Sequence, residues 1–464
     1  MSSLGFQSLF HRVSLFHTLR VHRFFFERNG TIHSPELGSP SAVGRVGGRS
    51  VHPSAGSDLY RHEVLLFSIS FELDYRNMLS MLLKASMPMQ REGRRAVDPI
   101  VVVGGIAVTA NPLPLSPFAD VVYLGDMEHS IDAMLERMVV HGFRREPPLF
   151  EELASLVGIY VPAVHGAETV SRARVEEITE PAHTAVLTDN TEFGGRFLVE
   201  IARGCRSGCR FCMTRCINSP LRTVSPSVVM ERVRRASAFT DRVGLVAPVI
   251  TDHRDLVAII GCINERGLSI SFSSLRADDF DEVIAEQLRL NGQSTVTFAP
   301  ETGSIELRRK MGKGLTDDSL FRAVGIALDY DIRRFRYYLM YGLPEETRED
   351  LDAIGDLVRE TVRLFGKSGA ELHVSVNPFV PKRGTALEDQ PLRPLEYYRK
   401  AQSRLERVFR GIDHVRYRLE SLKTLYLHYY LSIGDERVGN LLGSCTERRN
   451  FRGFRETAKN LLGR

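Results

Sequence analysis

Between residues 195 and 390 the chain repeats one pattern six times: a short apolar run, a polar turn, then a charged amphipathic stretch. The runs are GGRFLVEIARG, VGLVAPV, LSISFSSL, STVTFAP, RRFRYYLMYGLP and ELHVSVNPF. Runs this short and rich in β-branched and aromatic residues predict strands, and the stretches between them carry helical spacing. Parallel strands need a crossover of a dozen or more residues, so the pattern predicts a full or partial parallel barrel. Such barrels place their chemistry at the carboxyl ends of the strands.

With 464 residues the chain exceeds what one ordinary core holds, and the rest divides accordingly. Residues 58–165 alternate again: VLLFSIS, the helical ELDYRNMLSMLLKAS, PIVVVGG, ADVVYLGD and a helix from about Ser130 predict an open α/β domain, taken to span residues 1–165. GGIAVTANPLPLSPF follows PIVVVGG, where open sheets place ligands, although an ordinary crossover loop reads the same way. The opening FHRVSLFHTLRVHRFFFE could pass for an Arg-rich transit peptide but is expected to form an amphipathic helix and then a strand. Residues 166–194 lose periodicity and predict a linker. Residues 391–464 are Arg-rich and predict a helical extension, either a cap on the site or solvated helices with no part in it.

The chemistry-bearing feature is EIARGCRSGCRFC, where Cys205, Cys209 and Cys212 are spaced C-x3-C-x2-C just after the first barrel strand. Three close thiolates suit an iron-sulfur cubane and leave one iron without a protein ligand, open to substrate or cofactor. Structural zinc asks for four closed ligands, commonly two C-x2-C pairs, and the chain has no second pair. Cys216 follows Cys212 by four residues and could close the cluster as a fourth ligand, which would make an electron carrier or redox sensor. Cys262 and Cys445 stand alone in helical stretches and predict buried free thiols.

CRSGCRFC resembles the cluster loop of the radical S-adenosylmethionine (SAM) superfamily. The likeness extends through VGLVAPVITDH, SFSSLRAD, FAPETGSIELRR, YYLMYGLPEET and VNPFVPKRGTAL, which are similar to core motifs of one subgroup. That subgroup carries an N-terminal cobalamin-binding-like domain, similar here in FSISFELDY, PIVVVGG and NPLPLSPFADVVYLGDMEHSI. The resemblance implies an α/β chain: an open-sheet, flavodoxin-like domain, a (β/α)6-type partial barrel and a helical extension. It also implies a 4Fe-4S cluster on Cys205, Cys209 and Cys212 that opens SAM reductively into a 5'-deoxyadenosyl radical. Phe211 is implied beside the adenine. The segment VGLVAPVITDH has no GGE, so Thr251 and Asp252 are the candidates for the SAM amino group. Ser274 and Arg276 are implied for its carboxylate and ribose, although an Arg there also suits a structural salt bridge. Glu301 and Arg308 are implied as further polar lining, and Gly342 and Leu343 as backbone close to adenine. The chain lacks D-x-H-x-x-G, the usual source of a lower axial histidine. A domain that has lost cobalamin or reads substrate is therefore expected, with binding without that histidine as the alternative. The opening SLGFQSLFHR stands where related chains have completed a first strand, so the domain is expected to lack it.

Several classes are excluded or disfavoured. With 61 basic against 57 acidic residues, a net charge of +4 gives no case for a nucleic-acid or membrane partner. Methylthiotransfer with two clusters is disfavoured because no cysteine precedes Cys205. No apolar run approaches membrane-spanning length and six cysteines do not make a disulfide scaffold, so a cytoplasmic, reducing setting is expected. The expected partner is a one-electron donor of ferredoxin or flavodoxin type.

Overall fold

The computed structural model describes residues 3–27, 29–36, 44–46, 49–51, 58–168, 170–273 and 275–463. Two compact units result, one of residues 1–4 and 177–425 and the other of residues 5–176 and 426–464.

In the second unit the opening segment forms helix α1 (Leu4–Ser14), and the strand expected after it is the two-residue Phe25–Phe26. The α/β region follows as β1 (Val64–Ser68), α2 (Tyr75–Lys84), β2 (Ile100–Gly104), β3 (Val121–Tyr123), α3 (Ile131–Val140) and β4 (Ile159–Tyr160). β1, β2 and β3 run parallel, while β4 returns antiparallel against β3. α3 buries Ile131, Met134, Leu135 and Met138, the one-face spacing of an amphipathic helix, against Ile100, Val102 and Val121 of the sheet. Strand order follows chain order, so the reversal at which open sheets form a ligand crevice does not occur among the described strands. Residues 166–194 hold no helix or strand among those described, consistent with their composition.

The other unit contains the six predicted strands: β5 (Phe197–Glu200), β6 (Arg242–Val246), β7 (Ser269–Phe272), β8 (Thr295–Glu301), β9 (Arg334–Tyr341) and β10 (Glu371–Pro378). All pairings are parallel, in one sheet ordered β7-β6-β5 and a second ordered β8-β9-β10-β11, where β11 is Val415–Leu419. This is the (β/α)6-type partial barrel, with its hydrogen bonding interrupted between Phe272 and Thr295. The seventh strand, β11 (Val415–Leu419), lies within the segment expected to be helical. Its sequence VRYRL alternates residue by residue, and at an edge those arginines stay in water.

Three elements of the barrel unit bear on the site: α4 (Met213–Asn218) after the cysteine loop, α5 (Ile305–Lys310) after β8, and α6 (Arg348–Phe365) after β9. Thr347 and Asp350 form a capping box that starts α6. The C-terminal region is divided between the units. α7 (Leu395–Arg410) and β11 stay with the barrel, whereas nearly all of α8 (Leu425–Ile433), with α9 (Glu436–Glu447) and α10 (Phe454–Leu462), belongs to the unit of residues 5–176. There Asn111 Nδ2 donates to the carbonyls of Ser432 and Gly434 at 3.1 and 2.7 Å, and a Cβ on Gly439 would lie 2.2 Å from the Pro114 carbonyl oxygen.

Candidate functional site

The cysteine loop leaves β5 through Ala202–Arg203, which pairs antiparallel with Arg222–Thr223 and so frames the excursion between them. Gly204 makes the turn at φ +84°, where a Cβ would stand 2.5 Å from the carbonyl oxygens of Asn218 and Pro220. The loop then runs along the end of α5. Arg210 N–H donates to Met311 O at 2.9 Å, and Gly312 (φ +74°) approaches so closely that a Cβ would stand 2.2 Å from Gly208 O. Only glycine fits at Gly204 and Gly312 without moving backbone.

Cys209 is buried, and Cys205 and Cys212 are half-buried. Burial pushes the Cys209 thiol up to about 11. Lys313 pulls it down, while Glu301, Cys212 and Cys205 push it up further. Burial likewise raises Cys212, against backbone N–H groups of Arg215 and Thr214, with Cys205 and Glu301 adding to the rise. The three sulfurs and Glu301 therefore lie within electrostatic reach of one another. Among the described residues no three His, Cys, Asp or Glu side chains converge as ligands of a single ion. A cubane asks for something else: each thiolate binds its own iron, so the sulfurs stand apart by the width of the cluster. Three thiols on one glycine-framed loop fit that group. Cys216 sits one helical turn beyond Cys212, its N–H bonded to Cys212 O at 3.0 Å.

Phe211 faces a small apolar cluster of Leu307, Met311, Leu343, Phe379, Leu387 and Met340. Phe211 and Leu343, both expected close to adenine, thus fall in one cluster. Gly342 takes φ +79° beneath the Tyr398 ring, and its N–H donates to Glu346 Oε1 at 2.7 Å. Tyr397 O–H also donates to that oxygen. Burial pushes Glu346 up to about 7 against these hydrogen bonds, and its Oε2 has no hydrogen-bond partner among the described residues.

Thr251, Asp252 and Arg276 bracket the loop from the first sheet, but inside a closed charge network. Arg206 Nε stands 2.6 Å from Asp252 Oδ1, and Arg206 Nη2 stands 3.3 Å from Asp279. Thr251 Oγ1 donates to Asp279 at 3.3 Å. Arg276 donates to Ser207 Oγ at 2.5 Å and pairs with Asp278, which holds the guanidinium above its usual range. Arg276 thus has the salt bridge that the sequence left open as its other reading. Ser274 lies outside the described residues.

Glu301 ends β8 at φ +70°, an uncommon conformation for a side chain of its size, and accepts from Lys313 Nζ at 3.3 Å. Burial raises its carboxyl and Lys313 lowers it. Arg308 does not line the site: it is fully buried. Its guanidinium donates to Thr302 O (2.9 Å), Gly303 O (2.9 Å) and Leu315 O (3.0 Å) and pairs with Asp317. These carbonyls follow Glu301 on one side and Lys313 on the other, so Arg308 staples the two segments that carry that pair. Arg308 stands beside Arg309 and Lys310 in IELRRK, a basic run that offers no signal for this. Lys313 and Glu346 were also missed, the first because RRKMGKG reads as a solvated helix end, the second because it stands behind Glu345 in a polar turn.

Comparison with known proteins agrees with this architecture. The model of the radical SAM superfamily matches residues 199–358, and that of radical SAM proteins, N-terminal, matches residues 49–162. An uncharacterized protein of Methanocaldococcus jannaschii is 26% identical over 391 residues, 82% of this chain and 80% of that protein. Among solved structures the chain is similar to the radical SAM methyltransferase TsrM from Kitasatospora setae, with cobalamin and a [4Fe-4S] cluster bound. There the TM-score is 0.56 at 15% identity, over 86% of this chain and 88% of that one. It is also similar to the cobalamin-dependent SAM radical enzyme OxsB with aqua-cobalamin and SAM bound, with TM-score 0.50 at 14% identity, over 84% of this chain and 58% of that one. The partial barrel, its cysteine loop and the two family matches lead to one conclusion: the chain belongs to the radical SAM superfamily of enzymes and carries, over residues 49–162, the N-terminal region of radical SAM proteins.

Proposed function

We propose that Cys205, Cys209 and Cys212 hold a 4Fe-4S cluster with one iron free of protein ligand, and that SAM binds there with its adenine against Phe211 and the Gly342–Leu343 turn. The observation that carries this reading is the single loop bearing three thiols whose Phe211 packs with Leu343, from two distant strand ends. When bound, the cluster and SAM supply reductive C–S cleavage and a 5'-deoxyadenosyl radical for hydrogen abstraction. The chain's own residues do the rest. Gly204 and Gly312 shape the loop, and the apolar cluster around Phe211 excludes water. Glu301 and Lys313 set the charge beside Cys209, and Glu346 fixes the Gly342 turn. A ferredoxin- or flavodoxin-type donor delivers the electron.

Anaerobic reconstitution with iron and sulfide, then SAM and dithionite, tests this through release of 5'-deoxyadenosine and methionine. Wild type and Cys216→Ala are expected to cleave SAM and Cys212→Ala to fail. Loss of the cluster in Cys216→Ala instead supports the second reading, a four-cysteine electron carrier, which the position of Cys216 one turn from Cys212 keeps in view. Methyl transfer, the activity named for TsrM, is the reaction class to assay first, with aquacobalamin added. Because the D-x-H-x-x-G histidine is absent, a corrinoid taken up should show a spectrum without a histidine ligand. No uptake assigns the N-terminal unit to substrate instead.

A further inference from the structure

The sheet β8-β9-β10-β11 has two unlike faces. Phe335, Tyr337, Leu339 and Tyr341 of β9 and Leu372, Val374 and Val376 of β10 are buried on one of them. Helix α6 covers that side, with Phe335 stacked on Phe365 and Tyr337 bonded to Thr361 at 3.1 Å. The intervening residues point the other way and are exposed or half-buried.

Register arranges these side chains in rows. Thr297, Arg336, His373 and Arg416 stand side by side; Tyr338, Ser375 and Arg418 form the next row, and Met340 and Asn377 the next. Neighbours in a row are about 4.8 Å apart and successive rows about 6.6 Å apart. At the rim, Arg416 and Arg418 have partners in Glu371 and Glu420. At the centre, Arg336, Tyr338, His373, Ser375 and Asn377 have no hydrogen bond or ion pair from their side chains to any described residue. A barrel's inner face is ordinarily filled by packed branched side chains. Here five polar side chains on two central strands are exposed or half-buried and make their hydrogen bonds to solvent rather than to protein, which leaves them open to a ligand. Met340, at the upper end of the same face, belongs to the apolar cluster that contains Phe211 and Leu343. The polar rows therefore lead up to the cysteine loop.

We propose that this face binds the substrate, and that the substrate is an elongated organic anion whose carboxylate or phosphate pairs with Arg336. His373, Tyr338, Ser375 and Asn377 hydrogen-bond along its length. A planar guanidinium without a protein partner suits a two-oxygen anion in a bidentate fork. From Arg336 to Met340 the strand rises roughly 13 Å at ~3.3 Å per residue, which sets the distance between the anionic end and the carbon presented to the radical. The assignment rests on the radical-enzyme reading above, since only that reading places chemistry at the Phe211 end.

The chain has no tryptophan, so Tyr338→Trp adds a single fluorescent reporter in the middle row. Inorganic phosphate and citrate are titrated into this full-length variant, with sodium chloride holding ionic strength constant. A saturable change in emission is expected. Arg336→Ala in the same background should weaken it tenfold or more, and Arg336→Lys should restore part of the loss. Saturation with phosphate alone or citrate alone narrows the class to phosphate esters or carboxylates. A signal that follows ionic strength only, or equal binding with and without Arg336, overturns the proposal. The titration needs neither iron nor SAM. Wild type that cleaves SAM without Arg336-dependent anion binding removes this substrate assignment and keeps the enzyme reading. Anion binding in a chain that forms a cluster and never cleaves SAM removes the enzyme reading and the substrate role with it.

Discussion

At the residue scale, two buried polar side chains, Arg308 and Glu346, and one close backbone approach, at Gly312, each yield a measurable consequence. Arg308 satisfies three carbonyls and Asp317 from a fully buried position. Arg308→Met leaves those acceptors without donors and is expected to cost about 3 kcal/mol or more, read as a lowered thermal midpoint. Gly312→Ala places a Cβ against Gly208 O at a positive φ. A strain of about 1–3 kcal/mol falls on the cysteine loop, so less iron and sulfide per chain should be retained after reconstitution, while circular dichroism stays unchanged. Glu346 is buried with its carboxyl raised from 4.5 to about 7. Its folded pKa lies above the unfolded one, so the folded state keeps a proton that the unfolded state releases, and stability falls as pH rises from about 4.5 to 7. The loss is on the order of 3 kcal/mol, because each pKa unit is worth ~1.4 kcal/mol. Glu346→Gln should therefore be the more stable protein at pH 8, with the gap closing below pH 5 in urea titrations.

At the element scale, the strands were legible because their apolar runs are short and separated by charged helical stretches; four of the six barrel strands lie inside the predicted runs, and β6 and β8 overrun theirs by one residue each, at Arg242 and Glu301. β11 escaped because arginine at every second position reads as polar helix when only charge is counted. The cysteine loop was legible from spacing alone. The Arg206–Asp252–Asp279–Arg276 network was not, since its members come from different strand ends and only folding brings them together. The pair Asp278–Asp279, two and three residues after Arg276, was the one signal available for that network. Helix α6 starts at a reciprocal cap between Thr347 and Asp350, directly after the Gly342 turn. Thr347→Ala is expected to lower stability by about 1 kcal/mol through loss of that cap, measured by thermal unfolding.

At the scale of the whole molecule, the composition of residues 391–464 could not show that most of its helices complete a sheet domain begun more than three hundred residues earlier. Contacts that do so include Gly439 against the Pro114 carbonyl, the Asn111 side chain on the carbonyls of Ser432 and Gly434, and His428 beside Glu72. Among the described residues no helix is long and apolar enough to cross a membrane. Ending the chain at residue 425 should raise hydrogen exchange across β1, α2 and β2 and leave β8, β9 and β10 protected. The same division has a consequence in time. During synthesis the barrel emerges complete while the first domain still waits for its closing helices. At ~5–20 residues per second that wait is on the order of half a minute. The part of the chain made first is thus the last to fold, and through that interval its open sheet is the segment a chaperone must shield.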